Sequence, residues 1–191
     1  MTKAELRQLY LQKRRDLSTA AIVQASKQIS DRFFKDVDLD AVTHLSTFIR
    51  IQKFNEIDTS AIYYRLWKDR PWIKTYAPKT NVETGDLDNL TLFPDTPFTE
   101  NQWGVREPTS GDAIDPASLD MIIVPLLCTD ASGHRVGYGK GIYDRFLAKC
   151  RPSCLKIGLN YFAPTESSID AAGHDVRLDA CVTPEVTYRF S

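Results

Sequence analysis

A twelve-residue stretch, Gly133–Asp144, contains the residues of this chain that are best suited to chemistry. Its sequence, GHRVGYGKGIYD, combines four glycines with an arginine, a lysine, two tyrosines and an aspartate. Glycine lets backbone N–H groups approach an anion closely, and the N-terminus of a following helix adds the positive end of its dipole. Arg135 and Lys140 supply full positive charges, and Asp144 could bind a metal ion. The stretch therefore predicts a site for a phosphorylated ligand.

The common phosphate-binding motifs do not match this stretch. A P-loop needs glycine at position 134, which is His134, and a hydroxyl residue at position 141, which is Gly141. The dinucleotide motif GxGxxG fails because Gly137, Gly139 and Gly141 alternate. The alternative is a glycine-rich hairpin without a ligand. Since a plain turn needs only one or two residues of positive φ, three alternate glycines favour the ligand-binding interpretation.

The flanking elements indicate how the stretch is positioned. Met121–Val124 is a short apolar run typical of a buried strand, and Arg145–Lys149 resembles a helix. Helical spacing predicts one or two helices over residues 3–36, with Ser18 as a cap, and a further helix over Ala61–Asp69. The other predicted strands are Val42–Ile51, Trp72–Tyr76 (ended by Pro78), Leu90–Phe93, Leu155–Leu159 and Ala180–Thr183.

This alternation of strands and helices predicts an α/β fold with a largely parallel sheet. Ligands bind such sheets at the carboxyl ends of the strands, where the glycine-rich stretch is expected. Residues 104–115 and the segment from Pro164 up to the predicted strand at Ala180 have the composition of loops and turns. A length of 191 residues suits one domain with a full core.

Composition and charge exclude several classes of protein. With 42% hydrophobic and 26% charged residues the chain is ordinary for a globular protein, and its net charge of −1 carries no general signal for polyanions. We therefore expect no nucleic-acid partner. No apolar run approaches membrane-spanning length, and the charged N-terminus lacks a signal-peptide pattern, so we expect a cytoplasmic protein without a membrane partner. The four cysteines lack zinc-site spacing and are expected to be reduced thiols.

Several ordered motifs carry a resemblance to a known family. The segment Asp120–Leu147 closely resembles the signature of the 5-formyltetrahydrofolate cyclo-ligases, also called 5,10-methenyltetrahydrofolate synthetases. The further motifs are KxxxR at Lys3 and Arg7, EIDT at Glu56–Thr59, WGVREP at Trp103–Pro108 and HDVRLD at His174–Asp179. The resemblance spans nearly the whole chain, and on these residues the chain is identified as a member of that family.

The resemblance implies a fold and a reaction. The fold is a three-layer α/β sandwich of the NagB/RpiA/CoA transferase-like kind, formed by a single domain over residues 1–191. The reaction is the closure of 5-formyltetrahydrofolate to 5,10-methenyltetrahydrofolate, with ATP as co-substrate, Mg²⁺ as cofactor, and ADP and phosphate as products. We expect a monomer, although no pattern in the chain distinguishes a monomer from a dimer.

The resemblance also implies roles for individual residues. Lys140, Arg135 and Arg7 would be catalytic. The ATP-binding set would be Lys3, Arg7, Arg135, Gly137, Tyr138, Gly139, Lys140, Gly141 and Tyr143. The folate-binding set would be Ile51, Glu56, Trp103, Tyr138, Gly139, Lys140, Gly141 and Ile142. Mg²⁺ would be bound by Asp144 and Asp175, which suits an ion that usually takes one or two carboxylates together with phosphate and water.

Simpler interpretations of the same residues stay open at this level. Lys3 and Arg7 could be solvated helix cations, Asp144 a helix cap, and Glu56 a surface or capping glutamate. Whether Arg14 or Arg15 contacts nucleotide, and whether Asp179 belongs to the site, is undecided. Two other functions compete: a binding module that has lost turnover, and a small-molecule kinase with no preference for a pterin.

Overall fold

The computed structural model describes residues 1–81 and 83–190 of the chain. The helices are α1 (Lys3–Arg15), α2 (Thr19–Asp36), α3 (Ser60–Asp69) and α4 (Ile142–Leu147). The strands are β1 (His44–Ser46), β2 (Lys74–Thr80), β3 (Leu87–Thr91), β4 (Phe98–Glu100), β5 (Arg106–Pro108), β6 (Met121–Pro125), β7 (Cys128–Thr129), β8 (Arg135–Val136), β9 (Leu155–Leu159), β10 (Ala180–Val182) and β11 (Thr187–Arg189). None of the helices in the described ranges is long and apolar enough to cross a membrane.

A seven-stranded sheet in the order β11-β10-β9-β6-β1-β2-β3 forms the centre of the molecule. The five strands from β10 to β2 are parallel to their neighbours, while β3 and β11 pair antiparallel at the two edges. Strand β1 pairs with β6 through Leu45 opposite Met121. The chain therefore runs outward in both directions from the β1–β6 pair, and this switch in strand order opens a crevice at their carboxyl ends.

Both faces of the sheet are covered, as the near-continuous apolar run of β6 requires. Met121 and Ile123 belong to a core cluster with residues of α2 and α3, such as Phe33. Ile122 and Val124 point to the other face and belong to a cluster that includes Phe146 of α4. The alternation along one strand thus places helices on both faces, and the predicted three-layer α/β sandwich is confirmed.

The N-terminal helical region is two helices, with the second beginning where the sequence predicted. The Ser18 hydroxyl accepts a hydrogen bond of 3.2 Å from the backbone N–H of Ala21, which satisfies one of the free donors at the start of α2. The α1 helix lies against the small β7–β8 hairpin, because Leu6 and Tyr10 share a buried cluster with Val136. That packing carries the N-terminus of the chain to the glycine-rich stretch.

Two strand predictions were wrong at their ends for reasons of hydrogen bonding. The predicted strand Val42–Ile51 forms only three residues of β1, because the Phe48 carbonyl accepts from the Thr59 hydroxyl and the Ile51 N–H donates to the Glu56 carboxylate. Conversely, β2 continues through Pro78. The β1 partner has ended by that point, so Pro78 lies where the strand has become an edge, a position at which proline is tolerated.

The segment Gly133–Asp144 is not one continuous loop. Its first part closes the β7–β8 hairpin and forms β8, the loop proper is Gly137–Gly141, and α4 begins at Ile142, earlier than predicted. Strand β5 lies in a region predicted to be loop, and β11 lies beyond the last predicted strand. Each has three residues and belongs to a hairpin or a sheet edge, so its apolar periodicity is too short to be recognised.

Candidate active site

The loops that follow β1, β2 and β6 enclose a cleft of about 670 Å³ at the carboxyl ends of the strands. Every residue to which the resemblance gave a role lies on this cleft: Lys3, Arg7, Ile51, Glu56, Trp103, Arg135, Gly137, Tyr138, Gly139, Lys140, Gly141, Ile142, Tyr143, Asp144 and Asp175. The structure thus brings together residues from five separate parts of the chain. Their individual roles remain predictions.

The N-terminal helix places Arg7 against the glycine loop. Arg7 Nε donates a hydrogen bond of 3.0 Å to the Gly137 carbonyl. Gly139 has a φ of 92°, and a side-chain carbon there would lie 3.0 Å from the guanidinium carbon of Arg7. A glycine is therefore required at position 139 both by its backbone conformation and by the close approach of Arg7. The helix that begins at Lys3 holds a cation against the loop, as an anion site requires.

Asp144 is bound to Arg135 at the start of α4. Arg135 Nη2 lies 2.7 Å from Asp144 Oδ1, and the same oxygen accepts a hydrogen bond of 3.2 Å from the Val176 N–H. Arg135 also donates to the Val176 carbonyl. Burial lowers the pKa of Arg135, while the neighbouring Asp144 raises it. The pair fixes both side chains on the cleft wall and ties α4 to the segment that contains the second predicted metal ligand.

That second ligand, Asp175, forms an ion pair with Lys3 and accepts a hydrogen bond of 2.7 Å from the Ala172 N–H. Burial opposes ionisation of Asp175, but the hydrogen bonds from Lys3 and Ala172 outweigh it and hold the pKa of the carboxyl below its usual range. The carboxylate is thus ionised at neutral pH. The described residues contain no group of three or more His, Cys, Asp or Glu side chains that could hold a metal by itself.

The two carboxylates nevertheless suit a metal that also takes oxygens from its ligand. The hydrogen bonds to Asp144 fall on Oδ1 and those to Asp175 fall on Oδ2, which leaves one oxygen of each carboxylate for a hard cation. Mg²⁺ usually binds through one or two carboxylates together with phosphate oxygens and water. The donor set therefore fits Mg²⁺ bound with a phosphorylated ligand.

Glu56 lies on the opposite side of the glycine loop and is 3% exposed. Its Oε2 accepts a hydrogen bond of 2.6 Å from the Ile51 N–H, and its Oε1 accepts one of 2.6 Å from the Tyr138 hydroxyl. Burial raises the pKa of Glu56, and the hydrogen bond from Tyr138 and the charge of Arg14 lower it in part. Since Glu56 is nearly enclosed, the interpretation of it as an exposed surface glutamate is wrong. Its bond to the Ile51 N–H lies at the N-cap of the short 3₁₀ helix Gln52–Phe54, so the buried carboxylate also makes a capping contact.

Lys140 and Trp103 meet across the mouth of the cleft. The Lys140 ammonium lies 4.0 Å from the centroid of the Trp103 indole, close enough for a cation–π interaction. The Trp103 carbonyl accepts a hydrogen bond from Lys53, whose ammonium lies 5.2 Å from the Phe54 ring. Lys140 thus contacts the indole of Trp103 and Lys53 contacts its backbone carbonyl, and all three residues line the cleft.

Comparison with known proteins supports the resemblance noted in the sequence. The model of the 5-formyltetrahydrofolate cyclo-ligase family matches residues 1–184. The chain belongs to this family. The 5-formyltetrahydrofolate cyclo-ligase of Mus musculus is 27% identical over 99% of the chain and 94% of its own length. That of Haemophilus influenzae is 32% identical over 64% of the chain and 67% of its own length. The chain is accordingly an enzyme of the cyclo-ligase family.

The fold agrees with a solved structure from the same family. The solution structure of Aquifex aeolicus 5,10-methenyltetrahydrofolate synthetase superposes with a TM-score of 0.78 at 26% identity, covering 99% of this chain and 93% of that one. A match that covers both chains almost completely means that the layers and the order of the strands are shared. The architecture inferred from the cyclo-ligase resemblance thus holds over the whole chain.

Some cleft residues of this cyclo-ligase family member were missed by sequence reasoning. Phe54 stacks on Tyr138 with ring centroids 5.0 Å apart, and Lys53 and Phe48 also line the cleft. The signal for Phe54 was available, since it stands two residues before the Glu56 motif. Glu107, also on the cleft, accepts hydrogen bonds from Thr80 and so joins β5 to β2.

The three residues left undecided by the sequence have clear positions. Arg15 is exposed, whereas Arg14 is buried and donates a hydrogen bond to the Tyr138 hydroxyl. Asp179 accepts a hydrogen bond of 2.7 Å from the Lys156 N–H and lies outside the cleft, so its place is in the sheet and not in the site. Cys128 is fully buried, and this burial raises the pKa of its thiol to about 12.

Proposed function

We propose that this enzyme closes 5-formyltetrahydrofolate to 5,10-methenyltetrahydrofolate in a reaction that consumes ATP and requires Mg²⁺. One observation carries the proposal: the glycine loop Gly137–Gly141 contacts both the cationic side of the cleft and the side that contains Glu56. Its Gly137 carbonyl is bound by Arg7 on the cationic side, while its Tyr138 hydroxyl is bound to the buried Glu56 on the other. A loop of this kind suits a reaction in which a phosphoryl group passes directly between two bound substrates.

The proposed reaction has two steps. The formyl oxygen on N5 attacks the γ-phosphorus of ATP, the bond from that phosphorus to the bridging oxygen breaks, and ADP leaves. N10 of the folate then attacks the activated formyl carbon, the carbon–oxygen bond breaks, and inorganic phosphate leaves. Loss of the N10 proton to solvent yields the methenyl bridge. Because the substrates provide every reacting atom, the protein has to position them and to neutralise charge.

The cationic side of the cleft fits the triphosphate. Arg7 and Arg135 are fixed by hydrogen bonds to Gly137 and Asp144, so they are oriented before the ligand binds. Such preorganised donors stabilise the charge that develops on the transferred phosphoryl group without the cost of reorienting solvent. Lys140 rests on an indole rather than on a carboxylate. It can therefore turn towards a phosphate without leaving an unpaired anion behind.

The Glu56 side of the cleft fits the pterin ring. An ionised carboxylate can accept two parallel hydrogen bonds from the 2-amino group and the neighbouring ring N–H of a pterin. Ile51, whose backbone is fixed by Glu56, and Phe54 supply apolar surface beside it. Asp144 and Asp175 would hold Mg²⁺, which supplies charge neutralisation on the triphosphate when bound.

The proposal is tested by following the methenyl chromophore in the near ultraviolet with 5-formyltetrahydrofolate and Mg-ATP, and in mixtures that lack ATP or Mg²⁺. We expect the chromophore only in the complete mixture. Formation of ADP with a stable phosphorylated product and no chromophore would instead support a kinase, and binding of both ligands without turnover would support a binding module. Omission of Mg²⁺ is a cleaner control than Asp144→Ala, because that substitution also leaves the buried Arg135 unpaired.

A further inference from the structure

Arg14 is a buried arginine that pairs with no carboxylate within residues 1–81 and 83–190. It lies on α1 and is 2% exposed. Its Nη1 donates a hydrogen bond of 3.1 Å to the Tyr138 hydroxyl, and its Nη2 donates to the Leu126 carbonyl. The backbone carbonyl of Arg14 accepts from the Asn55 side chain at 2.8 Å. Burying a cation in this way costs free energy. We therefore expect a nearby group that is stabilised by the positive charge.

That partner is reached through Tyr138. The Tyr138 hydroxyl accepts from Arg14 and donates to Glu56 Oε1 at 2.6 Å, so the partly buried Tyr138 links two buried side chains in a continuous hydrogen-bonded chain. Since a hydroxyl has one proton, the bond from Arg14 directs the proton of Tyr138 onto Glu56. The arrangement defines the Arg14–Tyr138–Glu56 chain.

Among the charged residues around Glu56, Arg14 is its counter-ion. No cation in residues 1–81 and 83–190 lies within ion-pair distance of Glu56 itself, and Arg14 is the charged residue whose field lowers the pKa of the Glu56 carboxyl against the effect of burial. The other titratable groups that face Glu56 are the hydroxyls of Tyr138, Tyr143 and Tyr161. Burial raises the pKa of all three, so they stay neutral at physiological pH.

We propose that Arg14 is a positioning residue for the folate site: it supplies the counter-charge that keeps Glu56 ionised and orients the Tyr138 hydroxyl on it. This inference rests on the proposed function, which assigns Glu56 to the pterin ring. Arg14 acts through Glu56 and touches no substrate, so its loss changes the affinity for the folate and not the transfer of the phosphoryl group.

Arg14→Met tests the proposal because it keeps a long side chain and removes the charge. An opposite charge at this range typically lowers a carboxyl pKa by about one unit or more, so we expect the acid limb of kcat/KM for the folate to move up by about one pH unit. Near that limb the folate KM should rise about tenfold, while the ATP KM and the kcat at saturating folate stay within about twofold.

Two further variants separate this role from a structural one. Arg15→Met changes the next residue of the same helix, which is exposed, and should leave the pH profile and both KM values unchanged. Arg14→Lys retains the charge, so its acid limb should stay near that of the wild type even if KM rises. An unshifted limb in Arg14→Met, or a limb in Arg14→Lys that moves as far as in Arg14→Met, would overturn the proposal.

A second measurement does not depend on turnover. The free energy of unfolding at pH 8 is measured for Arg14→Met, Glu56→Gln and the double variant, with Arg14→Lys in place of Arg14→Met if the latter does not fold. We expect the loss of Arg14 to destabilise the protein more when Glu56 is present than in the Glu56→Gln background. The reason is that an ionised Glu56 is stabilised by the positive charge of Arg14, whereas a neutral glutamine is not. Additive effects would refute the counter-ion role. A wild type without cyclo-ligase activity but with this coupling would instead refute the proposed function alone.

Discussion

Glu56 shows how one residue can be valuable to a site and costly to the fold. Its carboxylate is enclosed between the Ile51 N–H and the Tyr138 hydroxyl, and burial raises its pKa. Two hydrogen bonds and the distant charge of Arg14 compensate only part of the lost hydration. A pterin that offers further N–H groups would complete the solvation of the carboxylate, so the ligand would relieve a cost that the free protein bears.

The cost of burying the Glu56 carboxylate predicts that the contribution of Glu56 to stability falls as the pH rises. This is the reverse of a carboxyl group whose pKa is lowered by folding. Because the pKa in the folded state is raised, the folded protein binds the proton more tightly than the unfolded chain does. The resulting stability is complete below the unfolded pKa and is lost as the pH rises through the folded pKa. The free energy of unfolding of the wild type minus that of Glu56→Gln should therefore fall as the pH rises above the usual pKa of a glutamate. Urea denaturation at several pH values measures it, and a difference independent of pH would show that burial does not raise the pKa.

Lys140 has a different kind of resting position. Its ammonium lies over Trp103 and pairs with no carboxylate in the described ranges, so it is available to a ligand at little cost. Removal of one preorganised donor from a transition state typically costs about 2.7–4 kcal/mol. We expect Lys140→Met to lower kcat by about 10²–10³, with a smaller change in the folate KM.

The measurement for Lys140 is the initial rate of methenyl formation at saturating substrates. Lys149→Met is a suitable control, since Lys149 is an exposed lysine just beyond α4 that pairs with Asp86 away from the cleft. If Lys140→Met kept its kcat and raised only the ATP KM, Lys140 would serve binding and not the transfer step.

At the scale of elements, the packing of α1 constrains the conformation of the glycine loop. Gly139 has positive φ and would meet the Arg7 guanidinium if it carried a side chain, whereas a side-chain carbon at Gly137 would meet no atom within 4 Å. The two glycines are thus two residues apart in one loop but under different constraints. This difference comes from the packing of a helix some 130 residues earlier in the chain.

Alanine substitutions at the two glycines should separate these constraints. Gly139→Ala forces an unfavourable backbone conformation, which costs about 1–2 kcal/mol, and displaces Arg7. We expect a lower melting temperature and a raised ATP KM. Gly137→Ala should leave the melting temperature within about 2 °C of the wild type, given its open surroundings. Equal destabilisation by both substitutions in thermal unfolding would contradict the packing argument.

On the scale of the whole molecule, the cleft joins the two ends of the chain. Lys3 pairs with Asp175, and Arg7 bonds to Gly137, so the site adds two polar contacts to the apolar packing that holds α1 against the β7–β8 hairpin. A ligand that binds there contacts segments from the first helix to the C-terminal region. Binding and global stability should therefore be strongly linked.

This linkage predicts a large thermal shift. A ligand at 100 times its Kd stabilises the native state by about 2.7 kcal/mol, which for a domain of this size corresponds to about 5–10 °C in Tm. We expect Mg-ATP to raise Tm by that amount, and ATP without Mg²⁺ to raise it less. Thermal unfolding followed by circular dichroism measures the shift, and identical curves with and without Mg²⁺ would contradict a metal role for Asp144 and Asp175.

Much of the architecture could be predicted from the sequence because it depends on local patterns. The apolar run of β6, the cap at Ser18 and the alternation of strands with helices each arise within a few residues. The ends of elements were less predictable. β1 stops at Ser46 because the Phe48 carbonyl and the Ile51 N–H form hydrogen bonds with the side chains of Thr59 and Glu56. No local pattern encodes those contacts.

The sequence by itself determined the fold class, the family and many of the residues that line the cleft, because motif residues and element periodicity are local properties. The tertiary structure alone decided which groups are partners. It placed Arg14 in the core and Arg15 in solvent, joined Asp144 to Arg135, and enclosed Glu56 beneath Tyr138. The physical reason is distance along the chain: Glu56 and Tyr138 are 82 positions apart, and Lys3 and Asp175 are 172 apart. Burial and charge at the site follow from contacts that exist only when the sheet has brought these segments together.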